Sequence, residues 1–172
     1  MQAFWRDGYH GTSLMALSKA SRIGQQSLNN AFGNKRAIYL AALKHYEAMA
    51  IETAASALRA SGDAGTRIRD FLSIPLVQGD LPPGCFLCVA SSEQALHDDA
   101  TRALVRNGFA TMERALVRAL SESVEYGSES DAVRQGKARA LLSVYVGLQT
   151  MARAGLPRAD LQAARDGAWP HG

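Results

Sequence analysis

The sequence predicts an all-helical protein in two parts, and three observations lead to that prediction. Apolar residues recur at helical spacing along most of the chain, and no proline occurs before Pro75. Two short amphipathic segments joined by a tight turn lie near the N-terminus. A much longer helical pattern follows them. We therefore expect an N-terminal three-helix head with a helix-turn-helix, residues 1–46, fused by a long connecting helix to a helical body, residues 47–172.

The first helix of the predicted helix-turn-helix begins after Thr12 and Ser13. A hydroxyl oxygen at this position accepts a hydrogen bond from a backbone N–H group that the first helical turn leaves unpaired. The apolar residues that follow at helical spacing are expected to face inward; they are Leu14, Leu17, Ala20 and Ile23.

The second helix of the motif is predicted from Gln25 to Phe32. Its apolar stripe is narrow and consists of Leu28, Ala31 and Phe32. The remaining surface carries uncharged hydrogen-bonding side chains, namely Gln25, Gln26, Ser27, Asn29 and Asn30. Amides of this kind form paired hydrogen bonds with adenine edges in the major groove, where such a helix docks. An ordinary polar helix of a small bundle is the alternative interpretation.

The helix-turn-helix is predicted to be followed directly by a long third helix. Gly33-Asn34 ends the second helix, and Asn34 is placed to cap the next one at Lys35. The helical pattern then continues to about Arg59. This helix is expected to connect the head to the body.

The head also resembles a known family. The matching residues are Phe4, Gly8-Tyr9, Thr12-Ser13, Leu17, Ala20, Ile23, Gln26-Ser27-Leu28, Phe32, Lys35 and Ala42-Leu43. Together they look like the N-terminal domain of the TetR (tetracycline repressor) family, over residues 4 to about 46 without a gap. Gly84-Cys85-Phe86-Leu87 and the segment from Leu148 to Gly155 resemble the regulatory domain of one branch of that family.

The resemblance implies a homodimeric transcriptional repressor that binds a palindromic operator and releases it when a small effector binds. Residues expected to face bases are Gln25, Gln26, Ser27 and Asn30, and those expected to hold phosphates are Thr12, Ser13, Asn29 and Lys35. The alternative is a dimeric helical ligand-binding or interaction protein that has lost strong DNA binding.

The chain departs from the family pattern at three points. An aromatic residue and a histidine that commonly contact phosphates in relatives are Asn29 and Ala31 here. The chain begins in the middle of the family's first helix, so either the gene starts upstream or strong DNA binding has been lost. Arg22 stands where the family usually has a turn glycine with positive φ. A non-glycine residue costs roughly 1 kcal/mol in that conformation.

Composition and charge agree with a DNA-binding head on a globular protein. The 172 residues are 47% hydrophobic and 20% charged. Residues 1–48 carry a net charge of +4, whereas the rest of the chain carries −1. Basic residues therefore concentrate where phosphate contacts are expected. No apolar run approaches the ~18 residues that cross a bilayer, and no secretory signal is visible, which predicts a cytoplasmic protein.

The body is predicted to contain five further helices. One follows the break at Ser61-Gly62-Asp63 and ends near Leu76, and the loop from Gly79 to Gly84 comes after it. The others run from Cys85 to about Leu96, from Asp98 to Tyr126, from Asp131 to Ala154 and from Arg158 to Trp169.

Two functions are assigned to the body. The segment from Ala138 to Ala152 is apolar on most sides, so a second subunit is expected to cover Leu141, Tyr145, Leu148 and Met151. A central helix of a monomer is the alternative. An apolar effector pocket is expected among Phe71, Cys85, Cys88, Phe109, Met112 and Tyr145, which suits apolar or electrophilic molecules better than anions.

No motif in the sequence predicts catalysis, a metal or a cofactor. Cys85 and Cys88 form a Cys-x-x-Cys at a helix start, which fits either two buried structural thiols or a redox sensor. The four histidines, His10, His45, His97 and His171, lack metal-ligand spacing. His97-Asp98-Asp99 is interpreted as a helix boundary, with cation binding as the weaker alternative.

Overall fold

A computed structural model describes residues 1–77 and 79–169, and it confirms the predicted all-helical fold. The described residues form nine α-helices and no strand. The helices are α1 Gln2–Gly11, α2 Leu14–Ser21, α3 Gln25–Phe32, α4 Lys35–Arg59, α5 Ala64–Ser73, α6 Phe86–Glu93, α7 Asp99–Ser121, α8 Asp131–Arg153 and α9 Arg158–Ala168; a 3₁₀ turn, Ile74–Leu76, follows α5. His171 and the rest of the predicted tail after Trp169 lie outside the described residues.

The helix ends of the motif follow the predicted capping signals. The Ser13 hydroxyl accepts a hydrogen bond from the Ala16 N–H at 3.0 Å, which starts α2. The Asn34 side-chain oxygen accepts from the Ala37 N–H at 2.9 Å, which starts α4. Gly33 ends α3 with φ of 87°, a left-handed value that glycine adopts without steric cost.

Two predicted helices end earlier than their apolar pattern indicates. Helix α6 ends at Glu93 and not near Leu96. Helix α7 ends at Ser121 and not at Tyr126, because the Ser123 side chain replaces helical backbone pairing. Its hydroxyl donates to the Leu120 carbonyl at 2.8 Å and accepts from the Tyr126 N–H at 3.0 Å.

The chain divides into two compact units that interleave along the sequence. The head unit comprises Met1–Met49 and Phe86–Arg106, and the body unit comprises Ala50–Cys85 and the chain from Asn107 onward. Helices α4 and α7 each contribute residues to both units. Helix α6 lies in the head unit, which no sequence pattern indicated, and the predicted boundary after residue 46 stays a prediction.

An aromatic cluster holds α1, α4 and α6 together inside the head unit. Phe4, Tyr39 and Phe86 are at most 1% exposed. The Tyr39 ring meets Phe4 and Phe86 edge to face, with centroids 5.2 and 5.7 Å apart, and Tyr46 meets Phe86 in the same way at 5.7 Å. Such pairs stabilise a core by roughly 0.5–1.5 kcal/mol each beyond the area they bury. Burial also raises the pKa of the Tyr39 hydroxyl.

The small helices α2 and α3 are anchored by fewer apolar residues than predicted. Leu17 and Leu28 are buried at 6% and 5% exposure. Ala20 is exposed, and Ile23 and Phe32 are 47% and 45% exposed. The inward orientation predicted for Ala20 and Ile23 is therefore wrong. Ile23 lies beyond the end of α2 at Ser21, so it no longer follows the helical period.

The turn between α2 and α3 has the predicted left-handed residue. Arg22 has φ of 57° and ψ of 25°, and within the described residues no other non-glycine residue has positive φ.

We expect Arg22→Gly to raise the free energy of unfolding by about 1 kcal/mol, because glycine removes the clash of Cβ with the backbone. Urea denaturation measures this change. Ser21→Gly is the matched control, since Ser21 is helical and its replacement should destabilise the protein. Equal effects of both changes would exclude strain at Arg22.

In the body unit, α8 is covered by the chain's own residues. Helix α5, the 3₁₀ turn and α9 pack against it. The Tyr145 ring stacks on Phe71 with centroids 4.5 Å apart, and Leu148 lies in a cluster with Leu76 and Leu161.

This packing corrects the predicted dimer interface. Leu141, Tyr145 and Leu148 are 1–3% exposed within a single chain, and Met151 packs half-buried beside Leu148. The apolar face of α8 is thus used inside the body unit and is not available to a second subunit.

Candidate nucleic-acid interface

Helix α3 presents uncharged polar side chains on its exposed face. Gln25, Gln26, Ser27 and Asn30 are exposed, whereas Leu28 fixes the opposite side of the helix in the core. The Gln26 amide donates to the Asn30 side-chain oxygen at 3.0 Å, so two amides one turn apart lie side by side. Amide groups of this kind can form hydrogen bonds with base edges in the major groove of DNA.

Of the two hydroxyl residues before α2, only Ser13 is exposed. Thr12 is fully buried, and its hydroxyl donates to the Gly8 carbonyl at 2.7 Å. That hydroxyl links α1 to the start of α2 and is not accessible to a phosphate. The predicted phosphate contact of the Thr12 side chain is therefore wrong.

Lys35 is the first residue of α4, and Asn29 lies in the last turn of α3. Both are half-buried. The Lys35 ammonium lies 4.4 Å from the centroid of the Tyr9 ring, which holds the cation at the first residue of α4. Because a helix N-terminus attracts anions, the start of α4 combines a fixed cation with the positive end of the helix dipole.

A carboxylate of α6 stabilises the segment of α1 that contacts Lys35, and the sequence analysis did not identify it. Gly8 interrupts α1 with φ of 74° and ψ of 178°. Glu93 accepts hydrogen bonds from the N–H groups of Tyr9 at 2.8 Å and of His10 at 3.0 Å, directly after the interruption. Glu93 thus caps the segment that holds Tyr9 beneath Lys35. Its separation of 84 residues from Tyr9 left no local signal.

A second carboxylate ties the start of α7 to the first turn of α4. Asp98 receives the Arg36 guanidinium on both oxygens, at 2.6 and 3.1 Å. It also accepts from the N–H groups of Ala100 at 2.9 Å and Thr101 at 3.1 Å. The hydrogen bond from Arg36 lowers the pKa of the Asp98 carboxyl below its ordinary value. The structure confirms that His97-Asp98-Asp99 is a helix boundary.

The residues predicted to form an effector pocket are mostly core residues. Phe71, Cys85, Met112 and Tyr145 are at most 3% exposed, and Phe109 is half-buried. Cys88 is also half-buried and lies in the head unit, whereas the other five belong to the body unit. The two grooves described in the body unit are lined by other residues. The predicted pocket stays a prediction.

The described ranges contain neither a cluster of metal-ligating side chains nor a membrane-spanning helix. No group of three or more His, Cys, Asp or Glu side chains there has the geometry of a metal site. None of the described helices is both long enough and apolar enough to span a bilayer.

The fold and the exposed face of α3 define a helix-turn-helix protein with a helical body. Comparison with known proteins supports this class, since residues 1–42 match the profile described as bacterial regulatory proteins, tetR family. Over these residues the chain is similar to the tetR family of bacterial regulatory proteins.

Individual relatives agree with this assignment. An uncharacterized HTH-type transcriptional regulator, YezE of Bacillus subtilis (strain 168), is 31% identical over 101 residues, which are 57% of this chain and 52% of that protein. The present chain thus matches about half the length of this curated relative.

Solved structures share the fold over nearly the whole chain. A cysteine mutant of the TetR family transcriptional regulator CifR, complexed with 26bp double-strand operator DNA, has a TM-score of 0.84 at 25% identity, over 98% of this chain and 92% of that one. Reduced E. coli NemR has a TM-score of 0.78 at 21% identity, over 94% of this chain and 86% of that one.

Proposed function

We propose that this chain is a DNA-binding transcriptional repressor that binds a palindromic operator as a homodimer and releases it when a small effector binds. The observation that carries the proposal is the exposed face of α3, where Gln25, Gln26, Ser27 and Asn30 offer hydrogen-bonding groups without a charge. A related regulator at 25% identity, CifR, has been solved with operator DNA, which supports the same use of this face.

In this proposal α3 lies in the major groove, and its amides contact base edges. Ser13, Asn29 and Lys35 surround α3 and contact phosphates, which position the helix without specifying the sequence. The Thr12 side chain has no direct role, since its hydroxyl is used inside the head unit.

The proposed dimer uses the outer face of α8 in place of its buried face. Small residues recur along that face at helical spacing; they are Gly136, Ala140, Ser143, Gly147 and Thr150. Four of them are exposed and Gly147 is half-buried. Small side chains allow two helices to approach closely, so α8 and α9 of two copies are proposed to pair as a four-helix interface.

The proposed switch uses helix α4. This helix begins with Lys35 in the head unit and ends with Arg59 in the body unit, so it joins the two covalently without a break. In the proposed DNA-bound dimer, the two α3 helices lie one turn of DNA apart, ~34 Å. A tilt of α4 on effector binding would change that separation.

Selection from random double-stranded DNA tests the proposal. The expected product is an inverted repeat whose half-sites lie about 10 bp apart, because two α3 helices of one dimer reach successive major grooves on one side of the duplex. A single half-site would contradict the dimeric arrangement. Recovery of unselected sequence at low salt would contradict DNA reading and favour the alternative helical interaction protein.

Two variants separate base reading from phosphate contact. Gln26→Ala should weaken binding to the selected site about tenfold and change the base preferred beside it, because the amide reads a base edge. Lys35→Ala should weaken selected and random DNA alike and reduce the salt slope by about 1, because it loses a phosphate contact. Fluorescence anisotropy at several salt concentrations measures both.

Lys44→Ala is the matched control for Lys35→Ala, since Lys44 is an exposed lysine of the same helix, more than two turns away. It should change affinity less than twofold. Parallel losses on specific and random DNA in both Gln26→Ala and Lys35→Ala would contradict the assigned roles.

A further inference from the structure

The body unit carries an open groove with an unusual lining, formed by α4, α5 and α7. Its volume is about 510 Å³, which suits a small organic molecule. The apolar part of the lining includes Leu58 and Ala119, at 3% and 2% exposure, together with the half-buried Ala55 and Ala115. Leu58 and Ala119 are thus already covered by the protein, and Ala55 and Ala115 are the apolar residues of the lining that a ligand could cover.

The charged part of the lining is almost entirely basic. Arg59, Arg67, Arg114 and Arg118 line the groove with a single acid, Glu122. Hydrogen bonding from Arg67 lowers the pKa of Glu122, so this acid is ionised at neutral pH and the charged lining sums to +3. A concave surface that carries charge of one sign above apolar groups concentrates the electrostatic field, and it attracts ions of the opposite charge.

Arg59 is paired with Glu52 at 3.2 Å, but the other three arginines are incompletely neutralised by the protein. Arg67 is 11% exposed; it bonds to Glu122 at 2.8 Å and to the Leu58 carbonyl at 3.1 Å, while its buried Nε has no hydrogen-bond partner among the described residues. Arg118 shares Glu122 at 3.6 Å and is 77% exposed. Arg114 donates to the Thr111 hydroxyl at 2.7 Å.

Two of these cations also repel each other. Arg114 and Arg118 lie one turn apart on the same side of α7, and like charges at this spacing destabilise a helix. An anion between them would remove that repulsion and would supply acceptors for guanidinium donors, whose planar geometry suits oxyanions.

We propose that this groove binds a small organic anion, in which a carboxylate, sulfonate or phosphate group is joined to an apolar body. The acidic group contacts Arg114 and Arg118, and the apolar body covers Ala55 and Ala115, above Leu58 and Ala119. The proposal goes beyond the DNA-binding function and differs from the apolar or electrophilic effector that the sequence predicted. It does not depend on operator binding.

A pair of fluorescent probes tests the proposal on the full chain without DNA. The first is 8-anilinonaphthalene-1-sulfonate, and the second is N-phenyl-1-naphthylamine, which has the same ring system without the sulfonate. We expect the sulfonate to bind at least tenfold more tightly than the neutral amine in low salt, and to lose much of that preference in high salt.

Substitutions in the groove test whether the probes bind there. Arg114→Gln combined with Arg118→Gln should weaken sulfonate binding at least tenfold and leave the neutral amine within twofold. Arg106→Gln combined with Arg158→Gln is the charge-matched control, because both are exposed arginines outside the groove. Ala115→Trp, which fills the groove, should abolish binding of both probes while circular dichroism verifies that the helices remain.

The outcomes separate this proposal from the proposed function. Equal sulfonate affinity in the two double variants, or equal affinity of the two probes for the native chain, would overturn the anion site. Failure to select an operator would overturn only the DNA-binding function, since the probe measurements contain no DNA.

Discussion

Gly8→Ala should lower the free energy of unfolding by about 3–5 kcal/mol. Gly8 has φ of 74° and ψ of 178°, a region that is essentially restricted to glycine and costs other residues about 1–3 kcal/mol. An added Cβ would also lie 2.6 Å from one carboxylate oxygen of Glu93. That oxygen would have to move and would break its hydrogen bond with the Tyr9 N–H. The unpaired donor would add a further cost of about 1–3 kcal/mol.

Urea denaturation measures the loss, and Gly11→Ala is the matched control. Gly11 lies in the same segment, but its added Cβ would be 3.6 Å from the nearest side-chain atom, an ordinary contact. We expect the control to change stability by less than about 1 kcal/mol. If Gly8→Ala cost no more than Gly11→Ala, the left-handed conformation at Gly8 and its clash with Glu93 would both be excluded.

The same contact gives the resemblance at Gly8-Tyr9 a physical explanation. The interruption at Gly8 frees the N–H groups of Tyr9 and His10, and the Glu93 carboxylate binds both. Tyr9 then lies beneath the Lys35 ammonium at 4.4 Å. The position of Lys35, a proposed phosphate contact, therefore depends on a residue of α6. Mutation of Glu93 should alter DNA affinity although Glu93 is remote in sequence from the helix-turn-helix.

The sequence was sufficient for the parts of the motif that local chemistry determines. Ser13 and Asn34 cap their helices through side chains three residues from the N–H groups that they bind, so the pattern is readable along the chain. Gly33 was predictable as a helix end because glycine tolerates positive φ, whereas the left-handed conformation at Arg22 was indicated only by the resemblance, since the family usually has glycine there.

Contacts between distant segments were not predictable in the same way. Periodicity shows that α8 has an apolar face. It does not show whether residues of the same chain or of a second copy pack against that face. In the structure Phe71 and Leu161 pack against Tyr145 and Leu148. Likewise, no local pattern indicates that the Thr12 hydroxyl is used inside the head unit, where it donates to the Gly8 carbonyl at 2.7 Å.

Asp98→Ala should lower the free energy of unfolding by about 1–2 kcal/mol at neutral pH. The change removes the acceptor for the Ala100 and Thr101 N–H groups at the start of α7, and loss of such a cap typically costs about 1 kcal/mol. It also removes the two-oxygen contact with Arg36, which adds less because the Arg36 side chain is 55% exposed. Asp98→Asn should cost less, since its amide oxygen keeps the cap.

The effect of Asp98→Asn should depend on pH. Arg36 lowers the pKa of Asp98 in the folded protein, so the charged form stabilises the fold at any pH above the ordinary value of about 4. This stabilisation is lost as the pH falls through the lowered folded value, because Asp98 then becomes neutral in both states. The stability difference between the native chain and Asp98→Asn should therefore be constant from pH 7 to 5 and shrink toward pH 3.

Asp99→Asn is the control for the pH series, since the Asp99 side chain is 93% exposed and its partner, Arg102, is three residues away on the same helix. Its stability difference should stay below about 0.5 kcal/mol throughout. A difference for Asp98→Asn that is the same at pH 3 and pH 7 would mean that the charge on Asp98 adds nothing to the cap. In that case the contact between Arg36 and Asp98 would add no stability between α4 and the start of α7, and Arg36→Ala should leave stability unchanged.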